Sequence, residues 1–161
     1  MKKDPEFIIV KDTREQTPWE FNFEHTVAEE ISTIKTGDYT VKGLEDKICI
    51  ERKGCIEEFA NNLGREYARF KKELIRMDEF PHAFIICEFP LKDLIEYPFH
   101  SHNARLQQTS KISGKYLLKV ILEMQLDHNV KIIFCGNRFY ATKTALSLMK
   151  RIHERYRTTA T

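Results

Sequence analysis

The strongest constraint on the fold is an alternation of two periodicities. Short apolar runs read as strands: Phe7-Ile8-Ile9-Val10, Lys47-Ile48-Cys49-Ile50-Glu51, His82 through Phe89, and Val130 through Cys135. Segments with helical spacing fill the gaps. Ile56, Phe59 and Leu63 form one apolar stripe, Gly64 interrupts it, and Tyr67, Phe70, Leu74 and Met77 continue it. Ser113 is a helix N-cap ahead of Tyr116, Val120, Leu122 or Met124, and Leu126. A last helix runs from about Phe139 to Tyr156. Leu91 to Tyr97 makes one short helix stopped by Pro98, and residues 98–112 read as a polar connector. This order predicts an α/β domain with one central mixed sheet and helices on both faces. With 161 residues the chain is expected to form a single domain, 1–161, with loose tails at 1–6 and 158–161.

Composition narrows the function classes. Hydrophobic residues make up 42% and charged residues 31%, as in ordinary soluble domains. No apolar run is long enough for a membrane span, and no apolar region of signal-peptide length follows the N-terminus. Cys49, Cys55, Cys87 and Cys135 form no C-x-x-C pair, which reads as reduced thiols in an intracellular, cytoplasmic or nuclear, protein rather than a secreted one. The net charge of +2 says little about a polyanionic partner, but basic residues cluster locally. Arg65, Arg69, Lys71, Lys72 and Arg76 are interleaved with Glu66 and Glu73, while Lys150, Arg151, Arg155 and Arg157 lie near the end. Arg105, Lys111, Lys115 and Lys119 are the most informative cluster, because residues 105–119 contain no acid. Each cluster reads either as a solvated helix face or as a phosphate contact.

The chemistry concentrates in residues 37–57. Asp38-Tyr39-Thr40-Val41-Lys42 alternates as a strand, residues 43–46 form a turn, and Lys47 through Glu51 alternates again. A hairpin of these two strands brings Asp38 beside Glu51. Two converging carboxylates repel unless a cation lies between them, and one or two carboxylates suffice for Mg²⁺ when water and phosphate complete its shell. Lys53, two residues beyond Glu51, falls on the same strand face. There it can orient or help deprotonate an attacking water, or neutralise developing charge. The alternative is an ordinary surface ion pair.

Gly37-Asp38, Glu51-Arg52-Lys53 and Glu57 together resemble the Gly-Asp…Glu-Arg-Lys-x-x-x-Asp signature of the XPF-type structure-specific DNA nucleases, with Glu in place of the last Asp. Asp12-Thr13-Arg14-Glu15 resembles that family's Asp-x-Arg-Glu, and Gly64-Arg65 its following Gly-Arg. The resemblance is strong over about residues 7–90. It implies a restriction-endonuclease-like fold in a compact form, without helix-hairpin-helix or helicase domains. It favours a strand in the second half of residues 25–35, where Ala28-Glu29-Glu30-Ile31 by itself suggests helix.

The implied activity is a Mg²⁺- or Mn²⁺-dependent endodeoxyribonuclease acting on branched DNA (flaps, forks, junctions) in repair, recombination or replication. Asp38 and Glu51 would hold the metal with the Arg52 backbone carbonyl, and Asp12 would be an outer or second-metal carboxylate. Lys53 would position the water, and Glu57 would support from the helix start. Glu15, Arg52 and Arg65 would organise the carboxylates or contact the scissile strand, and Lys111, Lys115 and Lys119 would contact DNA. A homodimer or a partner protein is implied as a source of affinity. The rival reading is a non-catalytic DNA-binding scaffold subunit, against which the presence of Asp12, Asp38, Glu51 and Lys53 argues. A nuclease for plain duplex or RNA remains a third reading. Trp19 is either a core anchor of its loop or a base-stacking residue, Glu88 is either a site group or an edge residue, and His100-x-His102 is a weak metal motif.

Overall fold

In a computed structural model, residues 4–159 are described. Six strands form one mixed sheet in the order β2-β1-β3-β4-β5-β6: β1 (Phe7–Asp12), β2 (Val27–Ser32), β3 (Tyr39–Val41), β4 (Ile48–Lys53), β5 (His82–Cys87) and β6 (Lys131–Phe134). The helices are α1 (Ile56–Leu63), α2 (Tyr67–Met77), α3 (Leu91–Glu96), α4 (Ala104–Thr109), α5 (Gly114–Asp127) and α6 (Arg138–Thr159). β3 is antiparallel to β1 and β4, whereas β1–β2, β4–β5 and β5–β6 are parallel pairs.

The pleat sorts the core into two layers, because successive strand side chains point to opposite faces. Cys49, Ala83, Ile85 and Cys87 face α1, α2, α3 and α5. Ile48, Ile50, Phe84 and Ile86 face the other way, against α6 and the Trp19–Phe21 loop. The same pairing gathers strand ends. β1 and β4 end where β3 begins, and β5, parallel to β4, ends beside Lys53. Two bonds fix this edge: Asp12 N–H to the Asp38 carbonyl at 2.8 Å and Glu88 N–H to the Lys53 carbonyl at 2.9 Å.

Several expectations need correction. The Ala28-Glu29-Glu30-Ile31 stretch is wholly strand, paired in parallel with β1, and its acids find partners on β1 and just after β3. Glu29 pairs with Lys11 at 2.9 Å and Glu30 with Lys42 at 2.7 Å, so tertiary contact overrides helix propensity. The connector at 98–112 contains α4, capped by Asn103, whose side-chain oxygen accepts from Leu106 N–H at 3.1 Å. Thr158 and Thr159 continue α6, and Glu6 is tied by its N–H to the Thr26 carbonyl at 2.7 Å. Of the expected tails, residues 1–3 and 160–161 lie outside the described residues. Ser113 caps α5 as expected, accepting from Tyr116 N–H at 3.3 Å. Among the described residues no helix is long and apolar enough to cross a membrane.

Gly114 sets how α5 docks. Its N–H donates to the Tyr97 carbonyl at 2.8 Å, and a Cβ there would fall onto the Ile95 backbone carbonyl. Gly114→Ala is therefore expected to cost about 3 kcal/mol, the upper end of overpacking penalties, measured by urea unfolding. A loss within about 0.5 kcal/mol, the scale of a surface change, would mean that α5 does not dock this way.

Candidate active site

The site begins with a glycine that no other residue replaces easily. Gly37 has φ +86°, and a Cβ on it would lie 2.7 Å from the Cys49 sulfur. This turn lays Asp38 against β4. The Asp38 N–H donates to the Ile50 carbonyl at 2.8 Å, and its Oδ2 accepts from Arg52 N–H at 2.8 Å. Asp38 and Glu51 then line one polar cleft of about 290 Å³ with Arg14, Glu15, Arg52 and Glu58.

The electrostatics of this cleft are unbalanced. Burial pushes the Asp38 carboxyl up to about 7, with Glu15 and Glu73 adding to the rise while the Arg52 N–H and Lys53 oppose it. Burial, and then the charge of Asp38, holds Glu51 well above the ordinary carboxylate range. Lys53 is buried on the same strand face, its Nζ 3.5 Å from Glu51 and 3.7 Å from Glu58. Burial works against its ammonium, but Glu51, Glu58, Asp38 and Glu73 together hold its proton more tightly than in a free lysine.

Arg52 points to the opposite face. Its guanidinium meets Glu88 through two bonds, at 3.2 and 2.9 Å, and Glu15 at 3.3 Å. Glu88 Oε1 also accepts from the Trp19 indole at 2.9 Å and from Arg138 at 3.1 Å. Trp19, fully buried and stacked 4.6 Å from Tyr39, is a core anchor.

Other expected site residues lie apart from the cleft. Asp12 spends both oxygens on structure. Oδ1 accepts from Ile34 N–H at 2.8 Å and Oδ2 from the Arg14 guanidinium at 2.7 Å, and it does not line the cleft. Although burial works against the charge, these bonds hold its carboxyl below the ordinary value. Glu57 turns to His100, 2.8 Å away, and the neighbouring Glu58 faces the cleft instead. Arg65 follows the end of α1, at Gly64. Lys111 lines a second groove there, and Lys115 and Lys119 lie on α5. His100 and His102 do not form a metal group, and among the described residues no cluster of three or more His, Cys, Asp or Glu does.

Glu58, which lines the cleft, has no role in the sequence reading, and Arg14, also in the lining, appears there only within its motif. An acidic pair opening a helix is a visible signal. Which of the two enters the cleft depends on a rotation of about 100° per residue, set by the packing of Ile56, Phe59, Ala60 and Leu63.

A mixed sheet with helices on both faces, and with charged strand ends gathered on one edge, is the restriction-endonuclease-like architecture. Within that class the family model of the ERCC4 domain matches residues 11–145, and the chain belongs to this family. XPF from Aeropyrum pernix is similar in structure, with TM-score 0.65 and 20% identity over 89% of this chain and 60% of that one. XPF from Aeropyrum pernix in complex with DNA gives TM-score 0.67 and 21% identity, over 92% of this chain and 66% of that one. At these identities the likeness shows the fold. The chain spans less than two thirds of the length of either structure. No curated protein matches it.

The cleft's donor chemistry suits a hard divalent cation. Its acids offer only oxygen, and burial, with the negative charge of neighbouring carboxylates, keeps Asp38 and Glu51 from ionising at ordinary values.

Two measurements check this electrostatic picture. A carboxyl raised in the fold keeps its proton where the unfolded chain releases it, so stability falls as pH rises from about 4 through about 7. Metal-free Asp38→Asn should therefore melt a few degrees above wild type at pH 8, with the gap closing near pH 4. An equal gap at both pH values would contradict the shift. Glu88→Ala leaves Arg52 without its main partner and should cost about 3–5 kcal/mol in thermal unfolding. A loss below about 1 kcal/mol, the scale of an exposed pair, would place that network at the surface.

Proposed function

We propose that the chain is a divalent-metal-dependent DNA endonuclease that hydrolyses phosphodiester bonds in branched DNA. The observation that carries this reading is the pair Asp38 and Glu51 lining one polar cleft, with the buried Lys53 behind it at 3.5 Å from Glu51. Membership of the ERCC4 family and the likeness to a structure containing DNA support DNA as the substrate.

Asp38 and Glu51 would hold Mg²⁺ or Mn²⁺, with the Arg52 backbone carbonyl as a further oxygen. When bound, such an ion acidifies a water and offsets charge on the reacting phosphate. Arg52 N–H fixes the Asp38 carboxylate, so that group is aimed before substrate arrives. Lys53, its proton held by surrounding carboxylates, acts as a cation rather than as a base. It orients a water and balances charge that develops on the phosphate. Asp12 is a positioning residue that fixes Arg14 at the cleft's rim. Glu58 marks the mouth and takes the supporting place expected of Glu57.

The test uses labelled 3′-flap DNA with Mg²⁺ or Mn²⁺, beside matched duplex and RNA. Wild type should cut near the branch, and Asp38→Ala and Glu51→Ala should show no cutting. Lys53→Ala should lose on the order of 100-fold, the scale of one lost electrostatic contact to the transition state. Should wild type bind the flap without cutting under either metal, with the variants binding equally well, the scaffold reading replaces this one.

A further inference from the structure

A second groove, of about 700 Å³, lies beyond the C-terminal end of α1. It is walled by the loop after α3 and the loop leading into α5. Two large aromatic side chains line it while remaining open to solvent, Phe99 at 68% and Tyr116 at 41% exposure. Gln107, Ser110, Ser113 and Lys111 supply its polar lining, and no carboxylate is among the lining residues.

The charge around it is unspent. Arg105, Lys111 and Lys115 form no ion pair among the described residues. Glu96 is paired with Lys92 at 2.7 Å, and Glu123 with Lys119 at 4.0 Å; Glu57, beside Phe99's neighbour His100, is held by that histidine at 2.8 Å. The walls are braced as well. Gly64 packs so closely on Ile112 that a Cβ would lie 3.0 Å from it. The Phe99 N–H donates to the Glu96 carbonyl at 2.7 Å, and the Tyr116 hydroxyl donates to the Leu63 carbonyl at 3.5 Å. Exposed aromatic faces with unpaired cations nearby and no acid in the lining match the chemistry of single-stranded nucleic acid, whose bases stack while its phosphates seek positive charge.

The groove and the cleft lie at opposite ends of α1. Glu58, in the first turn of α1, faces the cleft, and Gly64, at the other end of that helix, lines the groove. Glu58 and Gly64 are six residues apart along α1, a rise of about 9 Å at 1.5 Å per residue. That distance is about two or three nucleotides of stacked strand at 3.4 Å each. His100, which holds Glu57 at the start of α1, is the immediate neighbour of Phe99. We infer that this groove receives the single-stranded arm of the substrate, with bases stacked on Phe99 and Tyr116 and phosphates against Lys111 and Lys115. The inference rests on the nuclease reading for its substrate but concerns binding alone.

The experiment measures anisotropy of fluorescein-labelled oligodeoxythymidylate, with and without an internal abasic run, in EDTA so that no cutting occurs. Phe99→Ala and Tyr116→Ala should each weaken binding of the intact oligonucleotide about fivefold or more, the scale of losing one stacked base. Both should bind the abasic oligonucleotide as wild type does. Lys111→Ala and Lys115→Ala should instead lower the dependence of log affinity on log salt by about 0.7 each. Phe99→Trp should restore binding. If the aromatic variants bind both oligonucleotides like wild type, or wild type binds neither, the inference is overturned even where the flap is cut. If binding follows the expected pattern and no cutting occurs with metal, the inference stands and the nuclease reading falls.

Discussion

The forked contact between Arg52 and Glu88 is the constraint on which the site end of the molecule depends. A guanidinium withdrawn from water is tolerable only when its donors are met. Here Glu88 accepts from it twice and Glu15 once. The same Glu88 carboxylate anchors the Trp19 indole and Arg138. One charge cluster thereby joins the ends of β4 and β5, the loop after β1 and the first turn of α6. Its effect on the cleft is indirect. With Arg52 held to one face of the sheet, the pleat presents Glu51 and Lys53 on the other.

The two faces of β4 carry opposite electrostatic conditions. On the Arg52 face, positive and negative groups are matched and hydrogen-bonded. On the Glu51 face, two carboxylates share a single buried ammonium, and Glu58 and Glu73 add negative charge around them. Burial first, and then this charge, raises the proton affinities of Asp38 and Glu51. A fold that bears this cost at one cleft, while matching charge on the opposite face, concentrates its electrostatic tension where a cation would relieve it. The groove past α1 differs, with Lys111 as its one charged lining residue and no acid.

Much of this was legible in the chain. The Gly37-Asp38 turn followed by alternation to Lys53 foretold a hairpin joining Asp38 to Glu51, and the spacing of Glu51 and Lys53 foretold their common face. The resemblance carried by those residues led to the ERCC4 family. Other features were not legible. Asp12 has the residue type of a ligand, yet Ile34 N–H and Arg14 claim its oxygens from 22 and 2 residues away. Glu88 reads from the sequence as an edge residue more readily than a site group, yet Arg52, Trp19 and Arg138 converge on it. Glu57 and Glu58 are equivalent in sequence, and only the docking of α1 separates them.

The sequence by itself determined the period of each element, the residue types of the cleft and the face on which each strand residue lies. These follow from backbone geometry within one segment, where side-chain direction repeats every 2 or 3.6 residues. Tertiary structure alone decided which carboxylates converge, which are spent on capping and ion pairing, and which basic residues stay unpaired. Those outcomes depend on contacts between segments far apart in the chain. Asp12 with Ile34, Arg52 with Glu88 and Glu57 with His100 each join residues more than twenty positions apart, a separation that local periodicity does not encode.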